Sequence, residues 1–122
     1  MTARCALVVE DSPTMRQLLT LALRRIPGLS FVEATNGAEA LQRLGERAFD
    51  LILLDLNMPV MGGFTFLEHL ATQPTRPPVI VITTESDPAD RERAAAFGVA
   101  AYVTKPLRAP DLAATVHKVL GT

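Results

Sequence analysis

Short apolar runs alternate along the chain with longer segments in which apolar residues recur every three or four positions. Five runs have the length of strands, and they occupy residues 6–9, 29–34, 51–54, 79–82 and 101–104. The run at 29–34 is the weakest of the five. Because strands that are apolar on both faces lie inside a sheet covered on both sides, these runs predict a buried parallel sheet.

Each run is followed by a segment with the pattern of an amphipathic helix. The first helix is predicted to begin at Ser12-Pro13, where a hydroxyl can cap the helix and a proline suits its first turn. The second follows the turn Asn36-Gly37, and Gly45 predicts an interruption within it. The residues expected on the buried face of the first helix are Met15, Leu18, Leu19, Ala22 and Ile26.

The whole pattern is therefore five β/α units. Connections between parallel strands are right-handed, which restricts the chain to an open, doubly wound α/β sheet with helices on both faces. With 122 residues, the chain has about half the length of a (β/α)8 barrel, so that fold is excluded. We expect a single domain over residues 1–122.

Composition excludes several classes of partner. The formal net charge is −1, so the chain offers no basic surface for nucleic acid or for an anionic membrane. No apolar stretch approaches the length of a membrane span, and the amino terminus leaves no room for a signal peptide. The single Cys5 lies in an apolar run and is predicted to be a small buried side chain. We expect a cytoplasmic protein that binds neither nucleic acid nor membrane.

Four of the five runs end in residues that can take part in chemistry. The first ends in Glu10-Asp11, the third in Asp55, the fourth in Thr83 and the fifth in Lys105. The carboxyl ends of parallel strands lie along one edge of an open sheet, which is where such sheets bind ligands. We therefore expect three carboxylates, one hydroxyl and one ammonium group to meet in one cleft.

Three clustered carboxylates require a cation, since otherwise they raise one another's pKa. Oxygen ligands without Cys or His favour a hard ion, and Mg2+ is the expected one. Lys105 can neutralise one oxygen of a phosphoryl group, and the Thr83 hydroxyl can donate to another. Phosphoryl transfer mainly requires positioning and charge neutralisation, so Asp55 is the expected nucleophile and would form an acyl phosphate.

Four segments resemble, in order, the signature segments of response-regulator receiver domains. They lie at the ends of four strands and run from Val8 to Ser12, Leu53 to Pro59, Val81 to Glu85 and Tyr102 to Pro106. One such segment is weak evidence, whereas four in register over essentially the whole chain are strong. The resemblance is greatest to CheY-like single-domain chemotaxis regulators, and it implies a flavodoxin-like sheet with strand order 2-1-3-4-5.

The resemblance also implies a function and the residues that carry it. A histidine kinase donates a phosphoryl group to Asp55, and Thr83 and Lys105 bind the transferred group. The chain then changes its affinity for a downstream target, such as a flagellar switch or a phosphotransfer domain, and it is not an enzyme with an external substrate. The residues expected to hold Mg2+ are Glu10, Asp11, Asp55 and, through its backbone carbonyl, Asn57.

Further roles implied by the resemblance concern switching and lifetime. Thr83 and Tyr102 match the switch pair, in which movement of the hydroxyl lets the aromatic ring turn inward. Asn57 and Glu85 lie where the family tunes the access of hydrolytic water. The Lys105-Pro106 bond is expected to be cis, since X-Pro is the bond at which the cis form is accessible.

Some positions have simpler interpretations or depart from the family pattern. Tyr102 can also be a half-buried aromatic residue of an edge strand with no switching role. Gly62 stands where an Asp often opens the third helix, which predicts a looser helix start, and Ser12 stands where a larger residue is common. The charged run over 90–93 is expected to be a solvated helix face.

Other functions stay open at this point. One is a phosphorelay shuttle or sink, and another is a receiver within a larger response regulator or hybrid kinase. A third is an aspartyl-phosphate hydrolase, although Asn57 occupies the position where its second acid would be expected. A flavin-binding module is disfavoured because the acidic edge would repel an anionic cofactor. Because the sequence stops at Thr122, soon after the last helix, output through binding to another protein is expected.

Overall fold

The computed structural model describes residues 3–84 and 87–121, and this part of the chain forms the alternating strands and helices that the sequence predicts. The strands are β1 (Arg4–Val9), β2 (Leu29–Ala34), β3 (Leu51–Leu54), β4 (Val79–Thr83) and β5 (Ala101–Thr104). The helices are α1 (Pro13–Leu23), α2 (Gly37–Glu46), α3 (Gly63–Leu70), α4 (Pro88–Ala96) and α5 (Ala109–Leu120). The strands pair in parallel in the order β2-β1-β3-β4-β5, so the predicted topology is confirmed.

The sheet separates two apolar cores. Helices α1 and α5 cover one face, where Leu23 and Leu112 are fully buried. Helices α2, α3 and α4 cover the other face, where Phe66 is completely inaccessible. Strands β3 and β4 are buried at every position because they lie inside the sheet and are covered on both faces. Burial of each large apolar side chain contributes about 1.5–3 kcal/mol, so these two layers hold the strand ends rigidly in place.

The helix starts follow from local capping groups. At α1, the Ser12 hydroxyl accepts a hydrogen bond from the N–H of Met15 at 3.2 Å, and Pro13 occupies the first turn, as predicted. At α2, Oδ1 of Asn36 accepts from the N–H of Glu39 at 2.9 Å. At α3, Gly62 provides no side-chain cap, and the N–H of Gly63 donates instead to the carbonyl of Leu56 at 3.0 Å. The looser start expected there stays a prediction.

Three expectations about the helices were wrong. Helix α1 ends at Leu23, so Ile26, which was expected on its buried face, is buried beyond the end of the helix. Leu18 is 52% exposed, because the buried stripe of α1 follows Leu19 and Leu23 four positions apart, and Leu18 lies to one side of it. Helix α2 is not interrupted at Gly45 but continues to Glu46. A Cβ atom at Gly45 would meet nothing within 4 Å, so this glycine faces open space and does not disturb the helix.

Within the described residues, none of the helices combines the length and the apolar character that a bilayer crossing requires. Cys5 is buried in β1, as predicted from the apolar run in which it lies.

Candidate functional site

Three carboxylates from two strand ends meet at one edge of the sheet. Glu10 and Asp11 follow β1, Asp55 follows β3, and one carboxylate oxygen of each lies within 4.8 Å of the others. Glu10 and Asp55 are buried, whereas Asp11 is exposed at the rim. Residues that are 44 or more positions apart along the chain therefore share one site, because β1 and β3 are neighbours with their carboxyl ends at the same edge.

Lys105 brings the positive charge that the sequence predicts. Its Nζ atom lies 3.2 Å from Oε1 of Glu10 and 3.6 Å from Oδ2 of Asp55. The backbone N–H of Lys105 donates to the carbonyl of Thr83 at 2.8 Å, which fixes the end of β5 against the end of β4. The Lys105-Pro106 peptide bond is cis, as expected. The ammonium group thus lies beside two of the three carboxylates.

The backbone around Asp55 holds its carboxylate in place. The N–H of Asp55 donates to the carbonyl of Val9 at 3.0 Å, and Oδ1 of Asp55 accepts from the N–H of Asn57 at 3.3 Å. Behind the loop, the start of α3 approaches so closely that a Cβ on Gly63 would lie 2.7 Å from Cα of Leu56 and 2.8 Å from the carbonyl oxygen of Asp55. Only glycine fits at this position without moving the Asp55 backbone.

Glu10 has a strongly raised pKa. Burial raises its pKa to about 8, and the hydrogen bond and negative charge of Asp55 act in the same direction, while Lys105 partly offsets them. Its Oε2 atom is buried and has no hydrogen-bond donor. An unsatisfied carboxylate oxygen among three acids is a site that a hard cation would complete, and an all-oxygen donor set suits Mg2+.

The other predicted residues that the structure describes lie on β4, on β5 and in the loop after β3. Thr83 is fully buried at the end of β4, and Asn57 is exposed in the loop after β3. Tyr102 is half-buried on β5, beside Val81 of β4. Glu85, predicted to tune hydrolysis, lies outside the described residues.

Three arginines make contacts that the sequence interpretation missed. The charged run at 90–93 is exposed at residues 91–93, as expected of a solvated helix face. In addition, the guanidinium of Arg91 lies 4.6 Å from the ring centre of Tyr102, and that of Arg93 lies 4.2 Å from the ring centre of Phe64. Arg16 donates to the carbonyl oxygens of both Glu10 and Asp11. A signal was available for Arg16, because a cation in the first turn of a helix opposes the helix dipole and needs another partner.

Comparison with known proteins agrees with this geometry. The sequence profile of the response regulator receiver domain matches residues 6–117. The chain is 35% identical over 119 residues to the chemotaxis protein CheY1 of Helicobacter pylori, covering 95% of this chain and 96% of that protein. It is 34% identical over 116 residues to the sensor histidine kinase CheAY of the same organism, covering 92% of this chain.

The structural comparison gives the same picture. The chemotaxis response regulator CheY4 of Vibrio cholerae superposes with a TM-score of 0.87 at 32% identity, over 97% of this chain and 99% of that one. The lengths of the relatives differ, however. The chain spans only 14% of CheAY and 52% of another relative, so its match to those proteins concerns one part of them.

Proposed function

Because the chain belongs to the response-regulator receiver family, we propose that Asp55 accepts a phosphoryl group from a histidine kinase in the presence of Mg2+. Receiver domains of this kind interact with histidine kinases and with downstream targets. The observation that carries the assignment is the meeting of Glu10, Asp11 and Asp55 within 4.8 Å, with Lys105 Nζ 3.6 Å from Asp55. We further propose that the receiver unit extends over residues 1–122.

In the proposed reaction, a carboxylate oxygen of Asp55 attacks the phosphorus of a phosphohistidine. The new O–P bond forms as the P–N bond breaks, and the imidazole nitrogen leaves with the electron pair. Lys105 supplies a positive charge to the transferred oxygens, and the Thr83 hydroxyl is assigned as a donor to another oxygen. Bound Mg2+, held by Glu10, Asp11, Asp55 and the Asn57 carbonyl, would neutralise the remaining charge.

The same residues give a physical basis for switching. Lys105 is engaged with both Glu10 and Asp55, so a phosphoryl group on Asp55 competes for an ammonium that already has partners. We assign the response to Thr83 and Tyr102, which lie on the adjacent strands β4 and β5. Tyr102 is also stacked under Arg91 of α4, so a change in its ring position is expected to alter the surface that α4 and β5 share. Asn57 and Glu85 are assigned to the control of hydrolysis.

A second candidate is a receiver that works as one module of a larger signalling protein. The match to a short part of CheAY favours this alternative, since there a similar stretch belongs to a histidine kinase. In both cases the chemistry at Asp55 is the same, and only the route of output differs. One such route is a relay, in which the chain passes its phosphoryl group onward. Measuring phosphoryl transfer from the chain to a His-containing phosphotransfer domain would test for this route.

The assignment is tested by incubating the protein with a small-molecule phosphodonor, with and without Mg2+, and measuring its intact mass. We expect the parent protein to gain one phosphoryl group only with Mg2+, and Asp55→Asn to gain none. Asp50→Asn is the matched control, because Asp50 lies at the opposite end of β3 and its side chain accepts a hydrogen bond from the Cys5 N–H, which an Asn can also do. A phosphoryl mass that persists in Asp55→Asn would refute the assignment.

A further inference from the structure

Arg16 makes an unusual set of contacts next to the acidic pair. Its Nη1 atom donates to the carbonyl oxygen of Glu10 at 2.8 Å and to that of Asp11 at 3.2 Å. Its Nε atom donates to Oε1 of Glu33, at the end of β2, at 2.9 Å. Only 16% of its side chain is exposed. One guanidinium therefore joins the first turn of α1, the loop after β1 and the end of β2.

The contacts of Arg16 restrain the loop that carries Asp11, the one exposed acid of the cluster. Asp11 is exposed at the rim, so the burial that fixes Glu10 and Asp55 does not fix it. The direction of its carboxylate depends on the backbone of the loop between β1 and α1. Arg16 holds two consecutive carbonyls of that loop, and the planar guanidinium is itself oriented by Glu33.

We propose that Arg16 is a positioning residue for the cation site, acting through the backbone of Glu10 and Asp11. The inference rests on the proposed function, in which those two acids hold Mg2+. Groups that orient metal ligands without touching the metal commonly change metal affinity 10–100-fold when they are removed. We expect Arg16→Met to bind Mg2+ about 10-fold more weakly than the parent.

The sign of the effect separates positioning from simple charge. Arg16 carries a positive charge beside an acidic cluster, and its removal leaves Glu33 unneutralised. By charge alone, Arg16→Met would attract a dication more strongly, most clearly at low ionic strength. Loss of positioning predicts the opposite, namely weaker binding that persists at high ionic strength. The two explanations therefore cannot give the same result.

The experiment is calorimetric titration of Mg2+ into the parent, Arg16→Met, Arg16→Lys and Glu33→Gln at two salt concentrations. Glu33→Gln leaves the two carbonyl contacts of Arg16 in place, so it is expected to bind Mg2+ within about 3-fold of the parent, well below the loss of about 10-fold or more that follows removal of a positioning group. Lysine cannot reproduce three donors in one plane, so Arg16→Lys should recover only part of the affinity. Arg93→Met, which removes an exposed guanidinium paired with Glu68, controls for the loss of an arginine elsewhere.

A second readout is the Mg2+ dependence of phosphorylation by a small-molecule donor. Arg16→Met should need about 10-fold more Mg2+ for half-maximal rate, while its rate at saturating Mg2+ approaches that of the parent. Mg2+ affinity equal to or tighter than that of the parent would overturn the inference. If Arg16→Met does not fold, parent-like affinity in Arg16→Lys would overturn it equally. A parent protein that binds no Mg2+ would instead refute the proposed function, so the two failures are distinguishable.

Discussion

Because the pKa of Glu10 is raised, this residue is expected to make the Mg2+-free protein less stable as the pH rises. In the unfolded chain this carboxyl titrates at its ordinary value of 4.5, whereas in the folded protein its pKa is about 8, chiefly because the group is buried. Between these values the folded state keeps a proton that the unfolded state has lost. The contribution of Glu10 to the free energy of unfolding is therefore complete below pH 4.5, falls as pH rises, and is lost above about pH 8.

The magnitude follows from proton linkage. One proton held only by the folded state changes the free energy of unfolding by about 1.4 kcal/mol per pH unit. Between pH 5 and pH 8 the parent should therefore lose at most about 4 kcal/mol relative to Glu10→Gln, whose side chain is neutral throughout. Above pH 8, Glu10→Gln should be the more stable of the two, because it removes a buried charge next to Asp55.

The assay is urea unfolding followed by circular dichroism at several pH values, with chelator present and Mg2+ absent. Titrating groups other than Glu10 act on both proteins, so the difference between parent and variant isolates the Glu10 contribution. Saturating Mg2+ should reduce the pH dependence of the parent, because a cation favours the charged carboxylate. If parent and Glu10→Gln show the same pH dependence in the absence of Mg2+, the burial argument for Glu10 is wrong.

Two further predictions concern the loop between β3 and α3. Val60 is 87% exposed and has a φ of 67°, a left-handed backbone conformation that is strained for a β-branched residue. Val60→Gly should therefore stabilise the protein by about 1 kcal/mol in urea unfolding, and Val60→Ala, which keeps a Cβ, should stabilise it less. Destabilisation by Val60→Gly would show that the backbone at this position is not strained. Gly63→Ala should destabilise the protein by about 1–3 kcal/mol and slow phosphorylation of Asp55 by a small-molecule donor, because its Cβ would lie within 3 Å of the Leu56 and Asp55 backbone. In the control Gly62→Ala the nearest atom lies at 3.5 Å, and an equal loss in both variants would show that close approach is not the cause.

Much of the fold and of the candidate site could be predicted because the signals are local. Apolar runs mark the strands, and parallel pairing brings Asp55 and Lys105 to one edge whatever the details of the helices. The same reasoning failed at Leu18, since a repeat of three or four residues does not by itself fix which of two adjacent leucines faces the core. It also missed Arg16, whose partners are backbone carbonyls and an acid 17 positions away. The tight contact at Gly63 depends on packing between segments, which no local pattern reports.

The hydrogen bond from Nζ of Lys105 to Oε1 of Glu10 joins positions 95 residues apart. While β5 is still inside the ribosome during synthesis, the site lacks the ammonium group of Lys105, even if β1 and β3 have already paired. If Asp55 accepts a phosphoryl group as proposed, with Lys105 supplying charge for the transfer, phosphorylation is therefore expected to begin only after β5 has docked. Under that proposal, phosphorylation by a small-molecule donor would report complete assembly of the sheet, and a substitution that displaces β5 should abolish it even where the acidic residues are intact.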